Sequence, residues 1–337
     1  MRHFVIVGIL VIIMAVLTYV GLDSAGLMPA QASTQAVDID WMWNLEVVAI
    51  SFLFALITVP LVYSLIVFRR KKGDTTDAVH MEGNTRLEIA WTIVPLFIVL
   101  AYAYLGAVNL ADTRRVDPEA MVVNVTGLQW SWTFEYPSAG GLNVVSDELH
   151  LPVGKQVLLR MTSNDVIHSF WVPEFRVKQD LVPGRITELR ITPTLEGNYM
   201  VRCAELCGTS HAYMEKPVLV TSQEDFDTWM VEQTELAQEA SQTPEGRGKA
   251  LVAANGCAAC HSINGAAGIG PTWFGLSGRQ ERLTDGSVVT ADDAYLAESI
   301  KAPQAKIVAG FENQLMPVYE FTDEQIADII AYIKTLR

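Results

Sequence analysis

The hydrophobic and polar positions divide the chain into an apolar N-terminal third and a remainder in which apolar residues recur at short intervals. Two uninterrupted runs, residues 47–68 and 89–110, are each 22 residues long and carry no charged side chain. A helix of that length crosses the roughly 30 Å of hydrocarbon in a bilayer. The pattern therefore predicts a two-helix transmembrane hairpin within residues 33–112.

A further apolar run, residues 4–22, follows Arg2 and precedes the hairpin. It leads to Ala30-Gln31-Ala32, a pattern that a signal peptidase could cut before Ser33. The run is also longer than an ordinary signal-peptide core, so a retained membrane helix is the alternative. The sequence leaves both interpretations of residues 1–32 open.

The segment between the two predicted spans sets their orientation. Residues 69–72 read Arg-Arg-Lys-Lys, and short basic loops lie on the cytoplasmic side of a membrane. Everything after Leu110 is therefore expected on the outer side. Pro60 and Pro95 fall inside the spans, which indicates packing against another membrane protein.

The outer region contains two kinds of periodicity. From Met121 to about Ser222, short alternating runs separated by Pro-Gly turns predict an antiparallel β-sandwich of about 100 residues. Residues 223–245 are rich in Glu, Gln, Thr and Ser and predict a short helix running into a solvated linker. Residues 246–337 return to a helical period and predict a small α-helical module.

Two helix starts are expected in that module. Thr322 with Gln325 matches a capping box before an apolar helix face, and Thr290 with Asp293 resembles another.

Composition and net charge limit the classes of partner that the chain can bind. Half of the 337 residues are apolar, yet the formal net charge is −14, so the soluble part is strongly acidic. Such a chain does not bind nucleic acid non-specifically, and its docking partners are expected to carry basic patches.

One loop concentrates soft metal ligands. Cys203, Cys207, His211 and Met214 lie within 12 residues, and His168 precedes them at a predicted strand end. Thiolate, thioether and imidazole together suit copper. The alternative is a Cys203–Cys207 disulfide, with His211 and Met214 as bystanders.

The other two cysteines belong to a C-x-x-C-H motif, Cys257-Ala258-Ala259-Cys260-His261, which is typical of covalent attachment of a c-type haem. The alternative for C-x-x-C, a thioredoxin-like redox pair, would need a βαβ setting that the pattern lacks. Met316 is the single methionine after His261 and the expected sulfur ligand of the iron.

Residues 44–222 resemble subunit II of cytochrome c oxidase, the haem-copper terminal oxidase. The resemblance is carried by Gly127 to Trp132, Asp165 to His168, Lys178 to Arg185, and Cys203 to Met214. It implies a Greek-key, cupredoxin-like domain that holds a binuclear copper A centre bridged by Cys203 and Cys207. The implied ligand set is His168, Cys203, the carbonyl of Glu205, Cys207, His211 and Met214. Because no ligand position departs from the pattern, a metal-free quinol-oxidase subunit is disfavoured.

The same resemblance implies three further roles, each with a plainer alternative. The carboxylate of Glu205 would help bind magnesium at the interface with subunit I, or else is a solvated loop acid. Trp130 would receive electrons from an external cytochrome c, or else is a core aromatic residue. Glu88 would stand at the entrance of a proton channel, or else is an acid reaching the membrane interface.

Residues 246–337 resemble a class I cytochrome c. The resemblance implies thioether bonds from Cys257 and Cys260 to one haem c, with His261 and Met316 as the axial ligands. It also implies that the carbonyl of Pro271 accepts a hydrogen bond from His261 and orients it; the alternative is an ordinary turn proline.

The chain is thus expected to be a multidomain membrane protein with a helical hairpin, an all-β sandwich and an all-α cytochrome domain. The expected segments are 1–32, 33–112, 113–222, 223–245 and 246–337.

Its expected function is the electron-entry subunit of a proton-translocating oxidase, in which subunit I reduces oxygen to water. Electrons would come from a cytochrome c or another small redox protein. The expected location is a bacterial cell membrane, with the copper and haem domains on the outer side.

Three other functions would account for part of these motifs. A haem-copper nitric oxide reductase can also use a copper A subunit and stays open. Nitrous oxide reductase would need a large additional catalytic domain, and a copper-delivery protein leaves the haem without purpose.

Overall fold

The computed structural model describes residues 1–77, 80, 82–137, 143–313 and 316–337. The chain divides into two compact units, Met1–Arg115 and Val116–Arg337.

The first unit consists of helices α1 (Arg2–Ser24), α2 (Thr34–Val67) and α3 (Thr85–Thr113). All three are long and apolar enough to cross a membrane. Helix α1 packs against α2, where Nδ1 of His3 lies 2.7 Å from the hydroxyl of Tyr63. The expectation of a two-helix hairpin is therefore incomplete, because residues 4–22 belong to a third helix, which packs on α2.

The helices also begin earlier than the apolar runs. The hydroxyl of Ser33 accepts a hydrogen bond from the Ala36 amide (3.0 Å), and this cap starts α2 at Thr34. Asn84 caps α3 in the same way through the Leu87 amide. Charge-free length identifies the part in hydrocarbon, whereas polar caps decide where the helix starts.

The second unit begins with a sandwich of two five-stranded sheets. Its strands are β1 (Met121–Leu128), β2 (Ser131–Tyr136), β3 (Val144–Ser146), β4 (Leu149–Pro152), β5 (Val157–Ser163), β6 (His168–Trp171), β7 (Lys178–Leu181), β8 (Thr187–Ile191), β9 (Gly197–Cys203) and β10 (Glu215–Thr221). The sheet orders are β3-β2-β1-β5-β8 and β4-β10-β9-β6-β7.

The predicted sandwich is correct, but its strands are not all antiparallel. Strand β1 pairs parallel with β5, and β10 pairs parallel with β4, so both sheets are mixed. Alternation of apolar residues reports which face of a strand is buried and carries no information on the direction of its neighbour. The core between the sheets includes Trp132, Phe134 and Tyr136 on one face of β2, each at most 2% exposed.

Helix α4 (Gln223–Ser241) covers one side of the sandwich, where a short helix and a solvated linker were expected. The indole of Trp229 stacks on the imidazole of His150 at 3.9 Å and 9°, and it meets Tyr136 edge-on at 5.1 Å. Helix α5 (Pro244–Ala254) follows after a tight turn, in which a Cβ on Gly246 would lie 2.1 Å from the carbonyl oxygen of Ala240.

The last module contains a short 3₁₀ turn (Cys257–Ala259), hairpin strands β11 (Gln280–Arg282) and β12 (Val288–Thr290), and helices α6 (Asp293–Lys301) and α7 (Asp323–Thr335). Helix α5 crosses α7 closely, since a Cβ on Gly248 would meet the Asp328 carbonyl oxygen at 1.9 Å. The guanidinium of Arg247 fixes the crossing with two hydrogen bonds to the Asp328 carboxylate, of 2.8 and 2.7 Å.

The predicted capping box of Thr322 and Gln325 is confirmed at the start of α7. The second predicted box is wrong. Thr290 ends strand β12, and the side chain of Asp292 caps α6 by accepting from the Tyr295 amide at 2.9 Å.

Candidate metal centres

The sandwich brings the predicted copper ligands together at one end of the β4–β7 sheet. His168 opens β6 and Cys203 closes β9, and these strands are neighbours with Phe170 opposite Cys203. The loop after β9 carries Cys207 back over the strand ends. A 3₁₀ turn, His211–Tyr213, and then Met214 lead into β10.

Five side chains with sulfur or imidazole surround a common space. The thiols of Cys203 and Cys207 are 3.7 Å apart, well beyond the roughly 2.05 Å of a disulfide bond, and both are free. The other contacts are Cys207 Sγ to His211 Nδ1 at 3.5 Å, Cys207 Sγ to Met214 Sδ at 3.8 Å, Cys203 Sγ to His168 Nδ1 at 3.9 Å, and Cys203 Sγ to the Glu205 carbonyl at 3.2 Å. This convergence does not support the disulfide alternative, because His211 and Met214 point at the thiols.

The ligand groups of the cluster differ in how strongly they hold their protons. Burial disfavours a charged imidazole at His168, but Asp165 and Cys203 together outweigh burial and raise the pKa of His168 to about 9. Burial likewise opposes a thiolate at Cys203, yet its contacts with His168, the backbone and Cys207 together lower the pKa of Cys203 to about 6. Burial, with the neighbouring Cys203, raises the pKa of Cys207 to about 12. A bound metal would have to displace the remaining protons, so metal binding here is expected to weaken in acid.

Asp165 fixes the orientation of His168. Its Oδ1 accepts from Nε2 of His168 at 2.8 Å, which leaves Nδ1 facing the sulfur atoms. Oδ2 accepts from the amide of Gln129 at 2.7 Å. A carboxylate that holds the outer nitrogen of a ligand histidine is the usual support of a metal site.

Trp130 and Gln129 contact the cluster from the other side. The indole Nε1 and the Gln129 side-chain amide both donate to the carbonyl of Cys207, at 3.2 and 2.6 Å. Gly208 permits this approach: its φ is +119°, and a Cβ there would lie 2.9 Å from Gln129 Nε2 and 3.0 Å from Trp130 Cζ2. Trp132 is the fully buried tryptophan of this strand pair, whereas Trp130 is half-buried at the rim.

Two predicted acids lie away from these contacts. The side chain of Glu205 is exposed, although its carbonyl faces Cys203. Glu88 lies in the first turn of α3, in the other unit. The role of Glu205 in binding magnesium and the role of Glu88 at a proton entrance stay predictions.

The C-x-x-C-H motif follows α5 and opens onto a cavity. This space, the Cys-His cavity, is bounded in the helical module by Cys257, Cys260, His261, Pro271 and Met316. The Nδ1 of His261 donates to the Pro271 carbonyl at 2.8 Å, as the resemblance implied, and the ring stacks on Trp273 at 4.8 Å and 12°.

The residues of the Cys-His cavity fit a c-type haem. Burial lowers the pKa of His261 and keeps the imidazole neutral, and its Nδ1 is engaged, so Nε2 is the atom left for a metal. Burial raises the pKa of Cys257 to about 11 and also raises that of Cys260. A thioredoxin-like pair needs a depressed thiol pKa, so this alternative is not supported.

The wall of the Cys-His cavity is shared with the sandwich. Leu128, Gln129, Trp130 and Asp165 of the sandwich also line it. The hydroxyl of Thr133 also donates to the Ala253 carbonyl at 3.3 Å, across the same boundary. The two predicted centres are therefore neighbours, separated by residues that hydrogen-bond to the copper loop.

Asp165 and Gln129 are functional candidates that the sequence analysis did not assign. Both lie in motifs that carried the resemblance, and an acid three residues before a ligand histidine was the available signal. Glu281 is a third functional candidate that was not assigned from the sequence. This buried acid pairs with Arg279 at 2.5 Å, and it lines a neighbouring space together with His261 and Met316.

Comparison with known proteins gives three family matches along the chain. Residues 18–106 match the transmembrane domain of cytochrome c oxidase subunit II, residues 140–223 match its periplasmic domain, and residues 246–337 match cytochrome c.

Individual relatives agree. The chain is 31% identical over 280 residues to cytochrome c oxidase subunit 2 of Alkalihalophilus pseudofirmus, which covers 80% of this chain and 79% of that protein. It is 34% identical to the Synechocystis protein of the same name, covering 66% and 81%. Among solved structures, the periplasmic domain of subunit II from Bradyrhizobium japonicum is 31% identical, with a TM-score of 0.33 and coverage of 36% of this chain and 98% of that one.

These matches follow the same order along the chain as the apolar helices, the sandwich with its sulfur cluster and the module with the C-x-x-C-H motif. The chain belongs to the cytochrome c oxidase subunit II family, whose members are subunits of haem-copper terminal oxidases, and residues 246–337 form a cytochrome c domain.

Proposed function

We propose that this chain passes electrons from its own haem c to a binuclear copper A centre and on to subunit I of a proton-translocating oxidase, which reduces oxygen to water. The observation that carries the proposal is the shared wall between the Cys-His cavity and the copper loop. A chain that receives and delivers electrons through two centres needs them adjacent, and here the adjacency is built into one unit.

The residues that would hold the copper pair are Cys203, Cys207, His168, His211, Met214 and the Glu205 carbonyl. The copper pair would supply one-electron transfer. The protein contributes rigidity, since strand ends and the Asp165 hydrogen bond fix His168 before a metal arrives.

Haem would be held by thioether bonds to Cys257 and Cys260 and by His261 and Met316. Pro271 and Trp273 hold the His261 ring from two directions. Methionine ligation raises a haem reduction potential, which suits a donor to an oxidase.

Trp130 is the proposed contact between the two sites. Its indole lines the Cys-His cavity and donates to the carbonyl of Cys207. Because the cytochrome module occupies this face, an external cytochrome c or other small redox protein is expected to deliver electrons to the haem module, not directly to Trp130.

The remaining assignments belong to the assembled oxidase. We infer that the basic loop at residues 69–72 is cytoplasmic, which puts the second unit outside a bacterial membrane. Glu205 is the candidate ligand of a magnesium ion at the contact with subunit I. Glu88 is the candidate acid at the entrance of a proton channel that leads into subunit I.

The test is internal electron transfer in the purified oxidase. Trp130→Phe should slow reduction of copper A by the reduced haem at least tenfold, because it removes the indole N–H that contacts the copper loop. Flash-induced or stopped-flow absorbance measures the step. Trp171→Phe is the matched control, since Trp171 lies on β6 and does not line the Cys-His cavity.

An unchanged rate in Trp130→Phe would remove Trp130 from the route. Substrate turnover in the same preparation decides the acceptor: oxygen consumption supports the proposal, and reduction of nitric oxide without oxygen consumption would contradict it.

A further inference from the structure

We infer that the Asp165 carboxylate acts electrostatically on both redox centres. It lowers the reduction potential of each, so the two potentials shift in the same direction. The inference rests on the proposed function, because it assigns a role between the two proposed cofactors. Asp165 is a positioning residue in this scheme, acting on copper through His168.

On the copper side, the contact is a hydrogen bond. Nε2 of His168 donates to Oδ1 of Asp165 at 2.8 Å, and the His168 side chain is fully buried. An imidazole that donates to a carboxylate becomes a stronger metal ligand. A stronger, more negative ligand set stabilises the oxidised metal and lowers its potential.

On the haem side, Asp165 belongs to the wall of the Cys-His cavity, together with Gln129 and Trp130. Its side chain is only 19% exposed, so water screens its charge incompletely. A negative charge facing a haem stabilises the ferric state over the ferrous state and therefore also lowers that potential.

The carboxylate cannot easily turn away from either site. Oδ2 accepts from the Gln129 amide at 2.7 Å, and Oδ1 accepts from the Val166 amide at 2.6 Å and the Ser163 hydroxyl at 3.2 Å. With His168, four donors hold it, and among described residues no cation other than His168 pairs with it. The charge is thus fixed between the two centres.

A charge shared in this way has a specific consequence. Because it moves both potentials in the same direction, their difference, which drives transfer from haem to copper, changes by less than the larger of the two shifts. A second acid touching one centre alone would change the driving force instead.

The experiment uses the full chain, purified in detergent with haem attached and copper bound. Asp165→Asn keeps an oxygen acceptor for His168 but removes the charge. Spectroelectrochemical titration should show that each one-electron reduction equilibrium shifts at least threefold toward the reduced state, about 28 mV upward at 59 mV per tenfold. The difference between the two potentials should change by less than the larger of the two shifts.

Two further variants make the test specific. Asp147→Asn removes an exposed acid paired with Lys216 and should leave both potentials unchanged. Asp165→Glu restores the charge and should return both potentials toward those of the original chain. Visible spectra of haem and copper A confirm that each site is intact.

A haem potential unmoved by Asp165→Asn would overturn the inference, as would a shift confined to one centre. If Asp165→Asn binds copper poorly, the haem potential is measured again in copper-free chains with and without the substitution. The inference still requires the haem potential of the variant to be higher. An unsubstituted chain that binds no copper or no haem would instead contradict the proposed function.

Discussion

At the scale of single residues, the four cysteines divide by environment. Cys203 and Cys207 face each other, two histidines and a methionine, and the pKa values of these two thiols move in opposite directions. Cys257 and Cys260 border a cavity and are both shifted upward by burial. The first pair is thus arranged to meet a metal directly, and the second to anchor a group that other residues ligate.

Gly208 is the residue on which the approach of Trp130 to the copper loop depends. Gly208→Ala combines a left-handed φ of +119° with contacts of 2.9 and 3.0 Å to Gln129 and Trp130. We expect it to lower the free energy of unfolding by about 1–3 kcal/mol and to slow haem-to-copper transfer. Urea titration and flash kinetics measure the two effects.

Gly154→Ala is the control for backbone strain alone, because its φ is +78° and nothing lies within 4 Å of an added Cβ. Equal behaviour of the two variants in electron transfer would show that the contacts of Gly208 do not matter.

At the scale of elements, α4 joins the sandwich to the cytochrome module through an aromatic contact. Its Trp229 stacks on His150, and α5 begins within three residues of its end. The polar composition of residues 223–245 predicts a short helix running into a solvated linker. Composition is dominated by the exposed face of α4, whereas docking depends on a few side chains.

This contact predicts a pH dependence. Burial lowers the pKa of His150, although Glu148 opposes the shift. Below about pH 6.5, the ordinary histidine value, the unfolded chain binds the proton more readily than the folded chain. Stability is therefore full above that pH and falls as the pH drops toward the lower folded value.

His150→Phe should keep the stacking and remove this part of the acid sensitivity. Urea unfolding of the second unit, followed by tryptophan fluorescence, gives the free energy of unfolding of each chain at pH 7.5 and 5.5. An identical decrease in the two chains would mean that His150 does not contribute to the acid sensitivity.

At the scale of the whole molecule, Val116–Arg337 forms one compact unit that contains both candidate centres. The fragment beginning at Val116 should therefore fold without the membrane helices and bind a copper pair and one haem. Metal analysis and visible spectra check this result. Cys203→Ser in the same fragment should abolish the copper A spectrum and leave the haem spectrum unchanged. Loss of both spectra would contradict the expectation that the two sites form independently.

Much of this organisation follows from the sequence because its signals are local. Apolar length identifies the spans, a Cys-x-x-Cys-His run identifies the haem motif, and the Thr322–Gln325 cap identifies the start of α7. The ligand list for copper follows from a single loop and one upstream histidine. Apart from His168, which lies 35 residues before Cys203, each of these signals is a continuous run or a short motif, so it can be recognised without knowledge of the fold.

The tertiary structure alone decided which distant groups meet. Parallel pairing of β1 with β5, the crossing of α5 and α7 at Gly248, and the docking of Trp229 on His150 join residues far apart in the chain. The same is true of Asp165, whose place between His168 and the Cys-His cavity depends on how two modules pack. Periodicity and motifs record what each residue does locally, whereas such contacts arise only when the folded chain brings separate elements together.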